Sequence, residues 1–193
     1  MRLEVLNRGY SPGTKLLFAL IRLFSRHPVP DAAKLVFYRP EYYGTWAKEF
    51  TQEAMRGPSA WSVGDRELMA AFVSQANDSA FCLRAHSATA EQAYQDGPKV
   101  AAVLAGLESA QVDEGLRATL GMLGKLTRDG SVSAEDMRRV LSAGVTRQQV
   151  EDALAVCTAF NVTNRLADAF GFEVLSSEDF EAGAKYLLKR GYR

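Results

Sequence analysis

Apolar positions along this chain recur at steps of three and four residues, and each such stretch is bounded by residues that start or stop helices. Met1 to Tyr10 shows no clear period. Ser11-Pro12 then opens a helix, with serine as N-cap and proline in the first turn. Leu16, Leu17, Leu20, Ile21, Leu23 and Phe24 give it a broad apolar surface that needs covering. His27-Pro28-Val29-Pro30 ends it, because proline restricts the residue before it. A short helix is predicted over Asp31 to Tyr38, and Pro40 starts an aromatic-rich segment, Tyr42 to Met55, closed by Gly57-Pro58.

The next stretch is a helical hairpin. Ser62 caps Val63 to Ala76, with Asp65 at the third position as a weak capping box. Met69, Phe72, Val73 and Ala76 form a core stripe at helical spacing. Asn77-Asp78 breaks the pattern, a second helix runs from about Ser79 to Ala93, and Asp96-Gly97-Pro98 ends it. Helical segments follow at Lys99 to Gly106 and Asp113 to Leu126, with a turn at Arg128-Asp129-Gly130-Ser131. Ser133 caps Ala134 to Ser142, and Gly144 stops that helix. Thr146 to Gln149 is a further capping box, opening the longest helix, to about Phe170 before Gly171. Ser176 or Ser177 caps a last helix to about Lys189. No stretch alternates with period two for long, so the fold class is all-α, and no low-complexity linker divides the chain.

Composition narrows the function. The 193 residues are 47% hydrophobic and 24% charged, as in ordinary globular proteins. With 23 basic and 23 acidic residues the net charge is zero, which argues against nucleic acid or an anionic membrane as partner. Two cysteines make no disulfide framework, so a reducing, cytoplasmic setting is expected. Leu16 to Phe24 is too short to span a bilayer, contains Arg22, and reads as a packing or oligomerisation helix.

The candidate chemistry sits in the hairpin. One of the two cysteines, Cys82, and one of the two histidines, His86, lie four residues apart there. Ser79, Cys82 and His86 share one face of the second helix. With the turn at Asn77-Asp78, antiparallel pairing sets Glu67 level with residues near 86 to 89, both roughly 12–16 Å from the turn. Carboxylate, imidazole and thiol then form a short relay. Cys82 falls in the first turn of its helix with Arg84 nearby, and both features are expected to lower the thiol pKa. Glu67 lies opposite the core stripe, on a face with Gly64, Ala71 and Ser74 that is either solvated or close-packed. No phosphate loop, dinucleotide fingerprint or cofactor motif is present. His27, His86 and Cys82 are not spaced as usual metal ligands, and no metal site is expected.

The order Glu67, Ser79, Cys82, His86 resembles the alkylhydroperoxidase D-like branch of the carboxymuconolactone decarboxylase superfamily. That pattern is a glutamate, eleven residues, Cys-x-x-Cys, three residues and a histidine. Arg56-Gly57-Pro58-Ser59, Ser62-Val63-Gly64-Asp65-Arg66-Glu67, Lys125-Leu126-Thr127-Arg128-Asp129 and the run from Asn161 to Gly171 also resemble its peroxidase-related members. The likeness spans about residues 39 to 172, with residues 1–38 as a helical extension of a single domain. It implies an alkylhydroperoxidase-like helical bundle, a homo-oligomer, and reduction of a hydroperoxide without a cofactor, using an external thiol as reductant. Carried over by position, Cys82 is the peroxide-attacking cysteine, Glu67 the base or relay and His86 the proton partner. Ser79 replaces the resolving cysteine, and Phe81 stands where members often have a histidine.

Three readings follow from that departure. The protein is a one-cysteine peroxidase, or Cys157 resolves Cys82 within the chain or across an oligomer, or redox activity is lost. In the last case Glu67 and His86 serve acid–base chemistry on a small organic acid, or the chain is a binding or assembly protein. Cys157 lies mid-helix in line with Val150 and Leu154, as a small core residue would. The aromatic group Tyr38, Tyr42, Tyr43, Trp46 and Phe50 reads as core or subunit interface. Asn161, Asn164 and Arg165 are either buried and paired or border the pocket.

Overall fold

Backbone N–H groups at a helix start have no partner within the helix, so the capping side chains place the helix ends. In the computed structural model, which describes residues 4–192, ten α-helices follow one another with no strand among those residues. They are α1 (Pro12–Ser25), α2 (Asp31–Tyr38), α3 (Thr45–Arg56), α4 (Val63–Ala76), α5 (Ala80–Tyr94), α6 (Gly97–Ala105), α7 (Glu114–Asp129), α8 (Ala134–Ser142), α9 (Arg147–Phe170) and α10 (Ser177–Arg190). The all-α expectation holds. Met1 to Leu3 lie outside the described residues, as does the side chain of Tyr42.

The caps are those the sequence announces. Ser62 with Asp65, Ser133 with Asp136 and Thr146 with Gln149 each form both bonds of a capping box. Ser11 and Ser176 accept from the backbone N–H of Thr14 and Asp179. Two boundaries differ. The segment after Pro40 begins as a π-helical turn, Pro40–Gly44, before α3. The helix α7 runs through the expected turn to Asp129, and Gly130 (φ 73°) ends it.

The one-sided stripe expected on α4 is replaced by burial on nearly every side. Gly64, Arg66, Glu67, Leu68, Met69, Ala70, Ala71, Val73 and Ser74 are all buried, whereas Phe72 and Ala76 are only partly so. The reason is position: α5, α7 and α9 pack around α4, with α3 and α6 completing the ring. A helix surrounded in this way has no solvent face to set a period. Small residues permit the close approach. A Cβ on Gly64 would stand 2.8 Å from the ring of Tyr94 on α5, whose hydroxyl donates to Asp65 at 2.5 Å.

Two apolar clusters result. The larger gathers Leu68, Met69, Leu120, Leu123, Val156 and Phe160 around α4, α7 and α9. The smaller joins Leu6, Leu35, Phe81, Cys82, Phe172 and Phe180 where α5, the end of α9 and α10 meet. By contrast, α1 buries no residue; Leu16, Leu23 and Phe24 are 61%, 70% and 81% exposed. The aromatic group divides: Tyr38 and Tyr43 meet Phe170 edge-on, while Trp46, 60% exposed, stacks on Phe50. No described helix is long and apolar enough to cross a membrane.

Gly64→Ala is expected to destabilise the fold by about 1–3 kcal/mol through overpacking against Tyr94. Gly183→Ala, in α10 with nothing within 4 Å of its Cβ, is expected to stabilise by up to about 1 kcal/mol. Urea denaturation of the two variants checks the contrast, and equal effects would contradict the close α4–α5 packing.

Candidate active site

Hairpin geometry brings Glu67 of α4 and His86 of α5 to the same level, as the count from the Asn77-Asp78 turn requires. Glu67 Oε2 lies 2.7 Å from His86 Nδ1. Glu67 is fully buried, so its face is the close-packed one and not a solvated one. Its other oxygen, Oε1, accepts from Arg56 Nη2 at 2.5 Å and from the Tyr192 hydroxyl at 2.9 Å. The guanidinium of Arg56 also lies over the Tyr192 ring, 5.1 Å from its centroid. On its far side the imidazole meets the edge of Phe160, ring centroids 4.3 Å apart.

Burial alone would raise the Glu67 pKa. The hydrogen bond and charge of His86, joined by Arg56, outweigh it and hold the carboxyl below the usual glutamate range. This contribution to stability is present above the ordinary glutamate pKa and is withdrawn as pH falls through the lower native value. An ionised Glu67 accepts from Nδ1–H, which in the neutral imidazole leaves the Nε2 lone pair as the basic site. Nε2 has no hydrogen-bond partner among the described residues.

Cys82 stands one turn before His86 on the same face of α5 but in a different environment. It is 1% exposed and belongs to the smaller cluster, with Phe81, Phe172 and Phe180 around it. The expectation of a lowered thiol pKa is overturned. Burial pushes it up to about 12; the Ser79 hydroxyl beside it favours ionisation, and the charge of Asp168 opposes it. The sulfur lies in the apolar cluster, where desolvation exceeds the pull of the helix N-terminus. Arg84 gives no help, since its guanidinium lies over the Phe180 ring and donates to Ser177.

Ser79 is the N-cap of α5 by backbone conformation, but its side chain makes no cap bond. It donates instead to Asp168 Oδ1 on α9 at 3.0 Å. Cys157 lies elsewhere. It contacts Thr127 and Asn161 in the larger cluster and is eleven residues from Asp168 along α9, a separation of roughly 16 Å. Both cysteines are free and buried, and they belong to different apolar clusters. Asn164 is buried and takes a hydrogen bond from Ser74, Asn161 bonds Asn77 and Thr127, and Arg165 is exposed and donates to Asn161. His27 pairs with Asp179 and stands apart from the His86 group. The described residues hold no group of three or more His, Cys, Asp or Glu arranged to hold a metal.

Reading the sequence for motif residues misses Arg56, Tyr192 and Asp168 as parts of this arrangement. Arg56 and Asp168 fall in stretches that resemble the family, which is a usable signal. Tyr192 lies beyond them, 125 residues from Glu67.

Thiolate is the form that alkylates. The rate of Cys82 modification by iodoacetamide is therefore expected to rise about tenfold per pH unit from pH 7 to 10 without levelling. A plateau below pH 8, read by intact mass, would place the thiol in the low-pKa class instead.

Residues 40–124 match the Carboxymuconolactone decarboxylase family. Among solved structures, an uncharacterized peroxidase-related protein from Silicibacter sp. TM1040 is 24% identical at a TM-score of 0.77, covering 93% of this chain and 94% of that one. The alkylhydroperoxidase AhpD core of a peroxidase-related protein from Ralstonia eutropha JMP134 is 20% identical at 0.75, covering 91% of each chain. A cysteine-to-alanine variant of the debrominase Bmp8 in complex with 2,3,4-tribromopyrrole is 12% identical at 0.68, again covering 91% of each. No protein of curated function matches the sequence. Residues 40–124 thus resemble that family in sequence, and the chain has the alkylhydroperoxidase-like helical fold over most of its length.

Proposed function

We propose that this protein reduces hydroperoxides through Cys82 as its one reactive cysteine. The observation that carries the reading is the buried Glu67–His86 pair at 2.7 Å, one helical turn from the thiol. A thiol held near pKa 12 attacks only if a neighbouring base removes its proton as attack proceeds. His86 Nε2 takes that proton, and the imidazolium so formed is stabilised by the Glu67 carboxylate. The sulfur then bonds to one peroxide oxygen as the O–O bond breaks. The departing alkoxide recovers the proton from His86, leaving an alcohol and the Cys82 sulfenic acid. Ser79 offers no thiol, so an external thiol condenses with the sulfenic acid, releasing water and forming a mixed disulfide. A second external thiol frees Cys82. No cofactor enters this scheme. The exposed apolar face of α1 fits a homo-oligomer in which a second copy covers it; sedimentation of the protein and of Leu20→Glu should give a larger and a smaller species, respectively.

One observation favours a second reading. The thiol is neutral and buried while Arg56, Glu67 and His86 are already assembled. Acid–base chemistry on a small organic acid would use His86 and leave Cys82 silent.

Reduced protein treated with limiting hydroperoxide is expected to gain one oxygen on Cys82, trapped by dimedone and read by intact mass. Peroxide consumption should fall at least 100-fold in Cys82→Ala and in His86→Ala. An unreactive Cys82, with consumption unchanged in Cys82→Ala, would sink the peroxidase reading. Turnover of a carboxylic acid or lactone lost in His86→Ala but kept in Cys82→Ala would establish the second. Ser79→Cys is expected to form a disulfide with Cys82 after oxidation, shortening the life of the sulfenic acid.

A further inference from the structure

The chain enters the site again after α10. Gly191, at φ 70° and ψ −152°, turns it back towards α3, a conformation suited to glycine. A Cβ there would collide with the side chain of Gln52. The Tyr192 backbone N–H donates to Gln52 Oε1 at 2.7 Å, which pins the turn to α3. The Tyr192 hydroxyl donates to Glu67 Oε1 at 2.9 Å, stands 3.2 Å from Oε2 and is 3.4 Å from His86 Nδ1. Burial and the charge of Glu67 keep the phenol protonated, so it remains a donor. Arg56 ties the same parts together, donating to Glu67 and, at 3.3 Å, to the Leu187 carbonyl in the last turn of α10.

Arg56 holds one oxygen of Glu67 and His86 the other, but neither spans both. The phenol does, and so fixes the plane in which the carboxylate faces the imidazole. The same helix covers the thiol: Phe180 of α10 packs on Phe81, ring centroids 5.6 Å apart, and α10 lies along α5. The residue that packs beside the thiol's cluster and the turn that carries the phenol therefore belong to one C-terminal segment.

We infer that Tyr192 is a positioning residue, which holds Glu67 so that His86 is an oriented base only while α10 is docked on α5. This rests on the proposed role of His86 as the base for Cys82. It assigns a function to a residue outside the segment that matches the family. Hydrogen bonds to an ionised group are strong when formed without reorganisation, so losing this one should be read in turnover and in the imidazole itself.

Two variants test it. Tyr192→Phe keeps the ring and removes the hydroxyl; Gly191→Ala keeps the hydroxyl and displaces the turn. Each is examined by nitrogen-15 NMR of the His86 imidazole, by hydroperoxide kinetics, and by thermal unfolding to establish that it is folded. Both are expected to exchange the His86 Nδ1 proton at least tenfold faster than the parent protein and to show a mixture of tautomers. Turnover should fall about tenfold in kcat with KM little changed. An Nδ1 proton and tautomer unaltered in folded Tyr192→Phe would overturn the inference. If Gly191→Ala does not fold, Tyr192→Phe alone decides. Should the parent protein consume no hydroperoxide, the proposed function fails, while the NMR comparison still decides whether Tyr192 positions His86.

Discussion

A single ionised carboxylate inside the protein organises this structure. Glu67 is fully buried, and an unpaired charge there would cost several kcal/mol. Its donors come from Arg56 at the end of α3, His86 on α5 and Tyr192 beyond α10. Four separate segments, counting α4 itself, must arrive with their donors in place for the charge to be tolerated. The apolar clusters supply cohesion without direction. The carboxylate supplies direction, since removing any one donor leaves a buried group undersatisfied.

One helical turn separates two unlike environments on α5. At His86 the surroundings are polar and charged, and the neighbouring carboxyl is held ionised. At Cys82 they are aromatic, and the thiol is held neutral. A resting thiol of this kind resists casual alkylation and oxidation, since both require thiolate. Reactivity then depends on the base one turn away and not on the thiol's own acidity. Ser79, beside the thiol, donates to Asp168 on α9.

Local signals in the sequence carry much of the fold. Ser62 with Asp65, Ser133 with Asp136 and Thr146 with Gln149 announce helix starts because capping is settled within four residues. The level pairing of Glu67 with His86 is legible for a similar reason, as it needs only a turn position and a rise per residue. The burial of Glu67 is not legible, because α4 is surrounded by neighbours and the period that would separate inside from outside vanishes. The acidity of Cys82 is misread from local features: the helix end and Arg84 are adjacent in sequence, but the sulfur turns into the aromatic cluster and Arg84 turns towards Phe180. Tyr192 has no local signature at all. Its partner is set by the path of α10, which only tertiary packing determines.

That long-range bond also bears on how the chain acquires its fold during synthesis. His86, which completes the pair with Glu67, is made 106 residues before the tyrosine that adds the last donor. At about 5–20 residues per second, translation leaves an interval of roughly 5–21 s. During it the nascent hairpin carries a carboxylate whose full set of donors does not yet exist. Arg56 and His86 are by then available to the carboxylate, and burying it is less favourable before its last donor exists than after. The bond from Tyr192 is thus the last of the carboxylate's hydrogen bonds to become available as the chain is made.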